Sequence, residues 1–278
     1  MKVWHAFKSP SGRYFGNNLP KYLLETITYG GIPLVVLAET EEQKMAILDN
    51  LFKETYLSDI VKRNKIRNVG EMEALLDILS SAIGALTNPN KLQKTFKSVN
   101  RSKITATTIT KYIEYLEDSF LIDEAVRYDI KGKSYIGTPL KYYFMDMGLR
   151  NARINYRQIE ITHSMENVTY NELRMRGFSV DVGNLTIVEN GKDGKAVKKQ
   201  LEVDFICNKG SKKYYIQSAY QLGTEEKLAQ EIRPFLKIND SFKKIVITSD
   251  TPKPCYTDEG ILMMNVYDFL LIPEMIDL

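Results

Sequence analysis

Between Glu71 and Leu86 the apolar residues Met72, Leu75, Leu76, Leu79, Ile83 and Leu86 recur at the spacing of one helix face, which predicts an amphipathic helix packed on a core. Two further helices follow it. Asn88-Pro89 opens one that carries Leu92 and Phe96. After the polar turn Asn100-Arg101-Ser102 another runs from about Thr107 to Asp118, with Ile109, Tyr112, Ile113 and Leu116 as its buried stripe. Leu121 to Tyr128 and Ser134 to Met145 then read as two strands joined by the turn Ile130-Lys131-Gly132-Lys133. Three helices followed by a hairpin is the order of a winged helix.

The flanks read differently. Residues 20 to 64 are short helices around the break Gly30-Gly31-Ile32-Pro33, the pattern of a small helical lid. Beyond Gly148 a helix from about Ser164 to Arg176, ended by Gly177, leads into strands at 178 to 189, 200 to 207, 213 to 220 and 243 to 248. A helix near 224 to 236 lies between the last two. Glu189 to Lys199 is polar, holds two glycines and lacks an apolar period, so it reads as a hairpin tip or mobile loop. The fold class expected is α/β overall, with residues 1–68 as a lid, 69–150 as a winged helix and 151–278 as an α/β domain.

Composition narrows the function classes. The 278 residues are 44% hydrophobic and 26% charged, enough for two domains of a globular chain, and the net charge of +3 is too small to announce a nucleic-acid binder by itself. Cys207 and Cys255 fit neither a disulfide scaffold nor a cysteine zinc site, and His5 and His163 do not complete one. A reducing, cytoplasmic setting is expected. No apolar run approaches the roughly 20 residues of a membrane-spanning helix, and the start Met1-Lys2-Val3-Trp4-His5 lacks the apolar core of a signal peptide.

Charge placement says more than its sum. Lys91, Lys94, Lys97, Arg101 and Lys103 form the densest basic stretch without interleaved acids, just before the third helix. If that helix enters a groove, Thr107, Thr108, Thr110, Lys111 and Tyr115 meet phosphates and base edges, with Lys131 and Lys133 on the wing. Glu114, Glu117 and Asp118 on the same helix oppose this at its far end.

Several segments resemble one family. Tyr29-Gly30-Gly31-Ile32-Pro33, Tyr56-Leu57-Ser58-Asp59-Ile60 with Arg63, Thr108 to Glu117, and Lys141-Tyr142-Tyr143-Phe144-Met145-Asp146-Met147-Gly148-Leu149-Arg150 resemble AAA ATPases of archaea and bacteria that carry a C-terminal domain of unknown function. Glu166-Asn167, Glu172-Leu173, Gly177-Phe178, Glu202 to Ile206 and Tyr215-Ile216-Gln217-Ser218 are similar to that family's last domain. The resemblance implies that the chain is the C-terminal part of such a protein, separated from its nucleotide-binding domain. It also implies that Gly31 and Pro33 are the remnant of a nucleotide sensor. No Gly-x4-Gly-Lys-Ser/Thr phosphate loop occurs, so no cofactor is expected and ATP enters only with a phosphate-loop domain supplied elsewhere.

The last domain also resembles restriction-enzyme-type nucleases, which need a helix carboxylate, a strand aspartate, and a Glu-x-Lys triplet on the next strand to hold magnesium and orient water. Glu202 and Asp204 lie two apart, so they are expected to project from one face of a strand while Val203 and Phe205 enter the other, and Asp204 is the candidate metal ligand. Gln217 and Ala219 stand where glutamate and lysine are wanted, which removes the group that positions the water. Glu166 and Glu172 point to different helix faces, so one at most joins Asp204, and Glu166 is the choice.

The function expected is therefore a non-catalytic, DNA-associated regulatory module with double-stranded DNA as partner. One alternative is a magnesium- or manganese-dependent nuclease acting through Asp204, Glu166 and Gln217. A second is a protein-interaction partner of a separate ATPase, or of a second copy, away from membranes.

Overall fold

The computed structural model describes residues 19–100, 102–157, 159–190 and 195–278, so Arg101 and the opening residues 1–18 lie outside the described residues. Helix α1 (Leu19–Tyr29) and α2 (Pro33–Val36) flank the glycine break, followed by α3 (Glu41–Asn50), a π-helical stretch and α4 (Ser58–Arg63). Then come α5 (Val69–Ser81), α6 (Pro89–Thr95), α7 (Ala106–Asp118), strands β1 (Ile122–Asp129) and β2 (Ser134–Phe144), α8 (Met147–Arg153) and α9 (Ile161–Met175). The rest is β3 (Ser179–Asn190), β4 (Ala196–Lys209), β5 (Lys212–Ala219), α10 (Glu225–Ile232), β6 (Lys243–Thr248), β7 (Cys255–Tyr256), β8 (Leu262–Asn265) and α11 (Val266–Leu271). Among the described residues no helix is long and apolar enough to cross a membrane.

Helix starts follow side-chain capping. Thr40, Asn68, Asn88 and Thr105 each accept a backbone N–H at the head of α3, α5, α6 and α7, satisfying donors that have no partner inside the helix. The buried stripe of α7 is Ile109, Tyr112, Ile113 and Leu116, and that of α5 is Met72, Leu75, Leu76 and Leu79, the positions their periodicity marks.

The strands form one mixed sheet in the order β2-β1-β3-β4-β5-β6-β8-β7. β3, β4 and β5 make an antiparallel meander, while β6 lies parallel to β5 after the α10 crossover, and β8 is parallel to β6. The chain divides into two compact units. One holds the described residues through Glu124 with Leu140–Val168; the other holds Ala125–Pro139 with Thr169–Leu278. In the second unit Leu185, Ile187, Val203, Ile206, Tyr215, Ala219, Ile232, Phe235 and Val246 close one apolar core.

Three local expectations change. The alternation expected around Asp204 is broken by a register shift between Asp181 and Gly183, so Val203 and Ile206, three apart, both enter the same core. In the β1–β2 turn the positive φ falls on Lys133 (49°), not on Gly132. Gly132 is needed instead because a Cβ there would lie 2.8 Å from the Asp129 carboxylate, whose Oδ1 accepts the amides of Lys131 and Gly132. The segment Glu189–Lys199, expected as a hairpin tip or mobile loop, does belong to a hairpin, but its pairing extends further: Glu189–Asn190 and Ala196–Lys199 are paired strand, while residues 191–194 lie outside the described residues. The sequence hid this because residues 195–200 are exposed on both faces, with lysine on each, which erases the period-two signal.

Candidate functional site

In the second unit Asp204 on β4 and Gln217 on β5 lie side by side, and their polar atoms face the backbone. Ser218 N–H donates to Asp204 Oδ2 at 2.8 Å, and Asp204 N–H donates to Gln217 Oε1 at 3.3 Å. The β4–β5 ladder runs from Lys209↔Lys212 to Phe205↔Ile216, and these two bonds join the strands just beyond its end. Asp204 and Ala219 are buried, and Ala219 packs in the apolar core. A divalent cation needs several convergent oxygens. With Gln217 Oε1 and Asp204 Oδ2 both engaged by amides, and no group of three His, Cys, Asp or Glu arranged for a metal among the described residues, this donor set does not fit the ion.

Glu166 has other partners, all in the first unit. Lys141 and Tyr143 alternate along β2, so both side chains face one way. Lys141 Nζ and Tyr143 Oη donate to Glu166 Oε1 at 2.8 and 2.6 Å, and all three residues are buried. The neighbouring Asn167 pairs its amide with Phe144, accepting that residue's N–H at 2.8 Å and donating to its carbonyl at 2.7 Å. Glu166-Asn167 therefore staples α9 to the end of β2. Burial alone drives the Glu166 carboxyl upward, but the Lys141 charge, the nearby His163 and the bonds from Lys141 and Tyr143 outweigh it and hold the group ionised. Glu172, the other helix acid, bonds Arg176 Nε at 2.7 Å.

His163 sits at the mouth of this cluster, half exposed, with Nδ1 3.5 Å from Glu166 and Nε2 3.6 Å from Glu160. Gly84, at φ +73°, makes room for it, since a Cβ there would lie 2.5 Å from His163 Nδ1. The Glu166 carboxylate beside Nδ1, then the Glu160 charge, raise the imidazole above its ordinary value, against burial and the Lys141 charge. Folding therefore favours protonated His163.

The glycine break is held by α8. Asp146, the N-cap of that helix, accepts Leu149 N–H at 3.1 Å and Gly31 N–H at 2.7 Å. A Cβ at Gly30 would sit 2.1 Å from its carboxylate, and one at Gly148 would sit 2.1 Å from the Tyr29 carbonyl. Asn151 donates to the Ile27 and Thr28 carbonyls at 2.7 and 2.8 Å, satisfying the open end of α1. Gly31 thus offers its amide to Asp146, and Pro33 stands in the first turn of α2. Sequence reasoning missed Asp146 as the partner of Gly31; the one signal was that the two short motifs both lacked a local reason.

The basic candidates divide between units. Lys91, Lys94, Lys97, Lys103 and Lys111 are exposed around α6 and α7 in the first unit, and among the described residues none of Lys94, Lys97, Lys103 and Lys111 forms an ion pair. Thr108 is half-buried and its hydroxyl lies 3.0 Å from that of Thr105. Lys131 and Lys133 are exposed in the second unit, at the tip of a hairpin whose first strand is zipped in parallel to β3 from Arg127↔Val182 to Asp129↔Asn184. The far end of α7 is acidic: burial, then Glu124, Asp123, Glu114 and Asp118, push Glu117 up to about 7.

These observations define a mixed α/β protein, with a helical N-terminal region followed by an eight-strand mixed sheet with interspersed helices. Residues 20–160 match the family described as Domain of unknown function (DUF8612), and the chain belongs to that family. An uncharacterized protein of Haemophilus influenzae is 35% identical over 243 residues, covering 87% of this chain and 56% of the relative. The uncharacterized protein MJ1544 of Methanocaldococcus jannaschii is 31% identical over 256 residues, covering 90% of this chain and 53% of that protein. The chain thus spans about half the length of the curated relatives it matches. Protein VC1899 from Vibrio cholerae, a crystal structure, aligns over 84% of this chain and 55% of its own at 12% identity and a TM-score of 0.25, too low to carry an argument.

Two outcomes test the cluster. Lys141→Met and Glu166→Gln each remove one partner of the buried pair and are expected to cost about 3–5 kcal/mol in denaturant unfolding. The double variant, which keeps an acceptor for Tyr143, should cost much less than their sum; additive losses contradict the pairing. The His163 contribution is fully present below the ordinary imidazole value of about 6.5 and is lost as pH rises through the raised value. His163→Gln should therefore lower the melting temperature at pH 5.5 and have a smaller effect at pH 8.5, and an equal loss at both contradicts it.

Proposed function

We propose that this chain is a non-catalytic, DNA-associated regulatory module of AAA ATPase ancestry. In this reading α5, α6 and α7 followed by the β1–β2 hairpin are a winged helix. The second unit is a nuclease-like domain of restriction-endonuclease type whose cutting chemistry is lost. The observation that carries it is the exposed set Lys94, Lys97, Lys103 and Lys111 around the capped start of α7, cations without an ionic partner among the described residues. Phosphate contacts draw on such charge, and each neutralised phosphate releases counterions.

Loss of cutting has support of its own. The helix α9, the β3–β4–β5 meander and the α10 crossover into β6 agree with the nuclease plan, with Asp204 on one strand and Gln217 on the next. The chemistry does not follow. Gln217 offers its oxygen to a backbone amide, Ala219 is buried in an apolar core, and Glu166 is held by Lys141 and Tyr143.

A role beside a separate ATPase is also supported, by the exposed apolar side chains Leu24, Leu34, Leu37 and Met45 on α1, α2 and α3. Such a partner and the DNA are compatible in one regulatory module.

Fluorescence anisotropy with a labelled duplex across a salt series tests the proposal. Lys97→Glu with Lys103→Glu is expected to weaken binding at least tenfold at low salt and to flatten the salt slope by about 1.8, at about 0.9 per lost phosphate contact. An unchanged affinity and slope contradict the α6–α7 contact, and magnesium-dependent cutting that disappears with Asp204→Ala contradicts the non-catalytic reading.

A further inference from the structure

The β3–β4 hairpin outruns the sheet that carries it. β1 pairs with β3 only from Val182 to Asn184, and β5 pairs with β4 only from Phe205 to Lys209. Beyond Leu185↔Leu201 the two strands are therefore paired with each other alone, through Val188↔Lys198 and Glu189↔Val197 to Asn190↔Ala196. The base of this ribbon is anchored: Leu185 and Ile187 lie in the core with Ile232 and Phe235, and Leu201 packs against it. Its outer part is bare, with Ala196 through Gln200 exposed without a break.

Charge on the ribbon is one-sided in sign. Lys195, Lys198 and Lys199 are exposed, and among its described residues Glu189 is the one acid, already paired with Arg233 from the end of α10. Lys199 and Lys237 also act on Glu189. Cross-strand partners share a face, so Val188 and Lys198 look one way, while Glu189, Val197 and Lys199 look the other, toward Arg233. Both faces therefore present a lysine beside a valine.

We infer that this ribbon is a second DNA contact, which enters the major groove of a duplex and sets Lys195, Lys198 and Lys199 against the phosphates. It rests on the DNA-associated reading above and adds a surface to it. The paired strands form a two-stranded ribbon, the kind of element that a major groove about 12 Å wide admits. The lysines serve phosphates, and Val188 and Val197 give the apolar contact that thymine methyl groups accept.

The test compares the whole chain, Lys198→Glu with Lys199→Glu, and Lys97→Glu with Lys103→Glu, on a labelled duplex and on a single strand of the same length. The ribbon pair is exposed, so circular dichroism and the melting temperature should be unchanged. The ribbon variant is expected to bind duplex at least tenfold more weakly, with a salt slope flatter by about 1.8, and to lose less on the single strand. Wild-type duplex affinity in the ribbon variant, with loss in the helix variant, overturns this inference and leaves the α6–α7 reading standing. Loss in the ribbon variant alone does the reverse. Equal losses on duplex and single strand overturn groove entry, and a wild-type chain that binds no duplex overturns both.

Discussion

A buried carboxylate and ammonium cannot be separated without leaving a charge out of water, and the Glu166–Lys141 pair imposes that constraint on the helical unit. Lys141 begins a short stretch whose polar groups reach several elements of the unit. Tyr143 joins Lys141 on Glu166, the Phe144 backbone pairs with Asn167, Asp146 takes the Gly31 amide, Arg150 donates to the Ser80 carbonyl, and Asn151 caps α1. Glycines at 30, 84 and 148 keep clear the space these contacts need. One strand end and one short helix thereby tie α1, α5 and α9 within the unit.

That arrangement also separates two meanings of a polar residue in a family-like motif. Glu166, Asp204 and Gln217 sit in the chain order a nuclease uses, yet each directs oxygen toward a lysine, a tyrosine or a backbone amide. Buried polar groups must be satisfied, and here the satisfaction comes from the protein itself. The cations differ: at α6–α7 and on the β3–β4 ribbon the lysines stand in solvent, and the proposed DNA reading draws on that exposure.

Much of the architecture was legible in the sequence. The stripes of α5 and α7 lie where periodicity put them, because those helices bury one face against a core and leave the other wet. The β1–β2 turn was legible from its glycine, though the strained φ belongs to Lys133. What stayed hidden depended on distant partners. Nothing local in Glu166 tells that Lys141 and Tyr143, on β2, will reach it, and Asp146 is separated from Gly31 by 115 residues. The extent of the ribbon was hidden for another reason, since a strand end such as 195–200, exposed throughout, has no need to alternate.

Hydrogen–deuterium exchange of the whole chain with and without a duplex measures the central claim most directly, because it reads which backbone segments DNA covers and leaves the strand sites as an internal reference. The account predicts slower exchange at 89–111 and at the β3–β4 ribbon on adding duplex, with β5 around Gln217 unchanged and the DNA intact. Unchanged exchange at both basic segments, or protection centred on Asp204 and Gln217 with cleaved DNA, would contradict it.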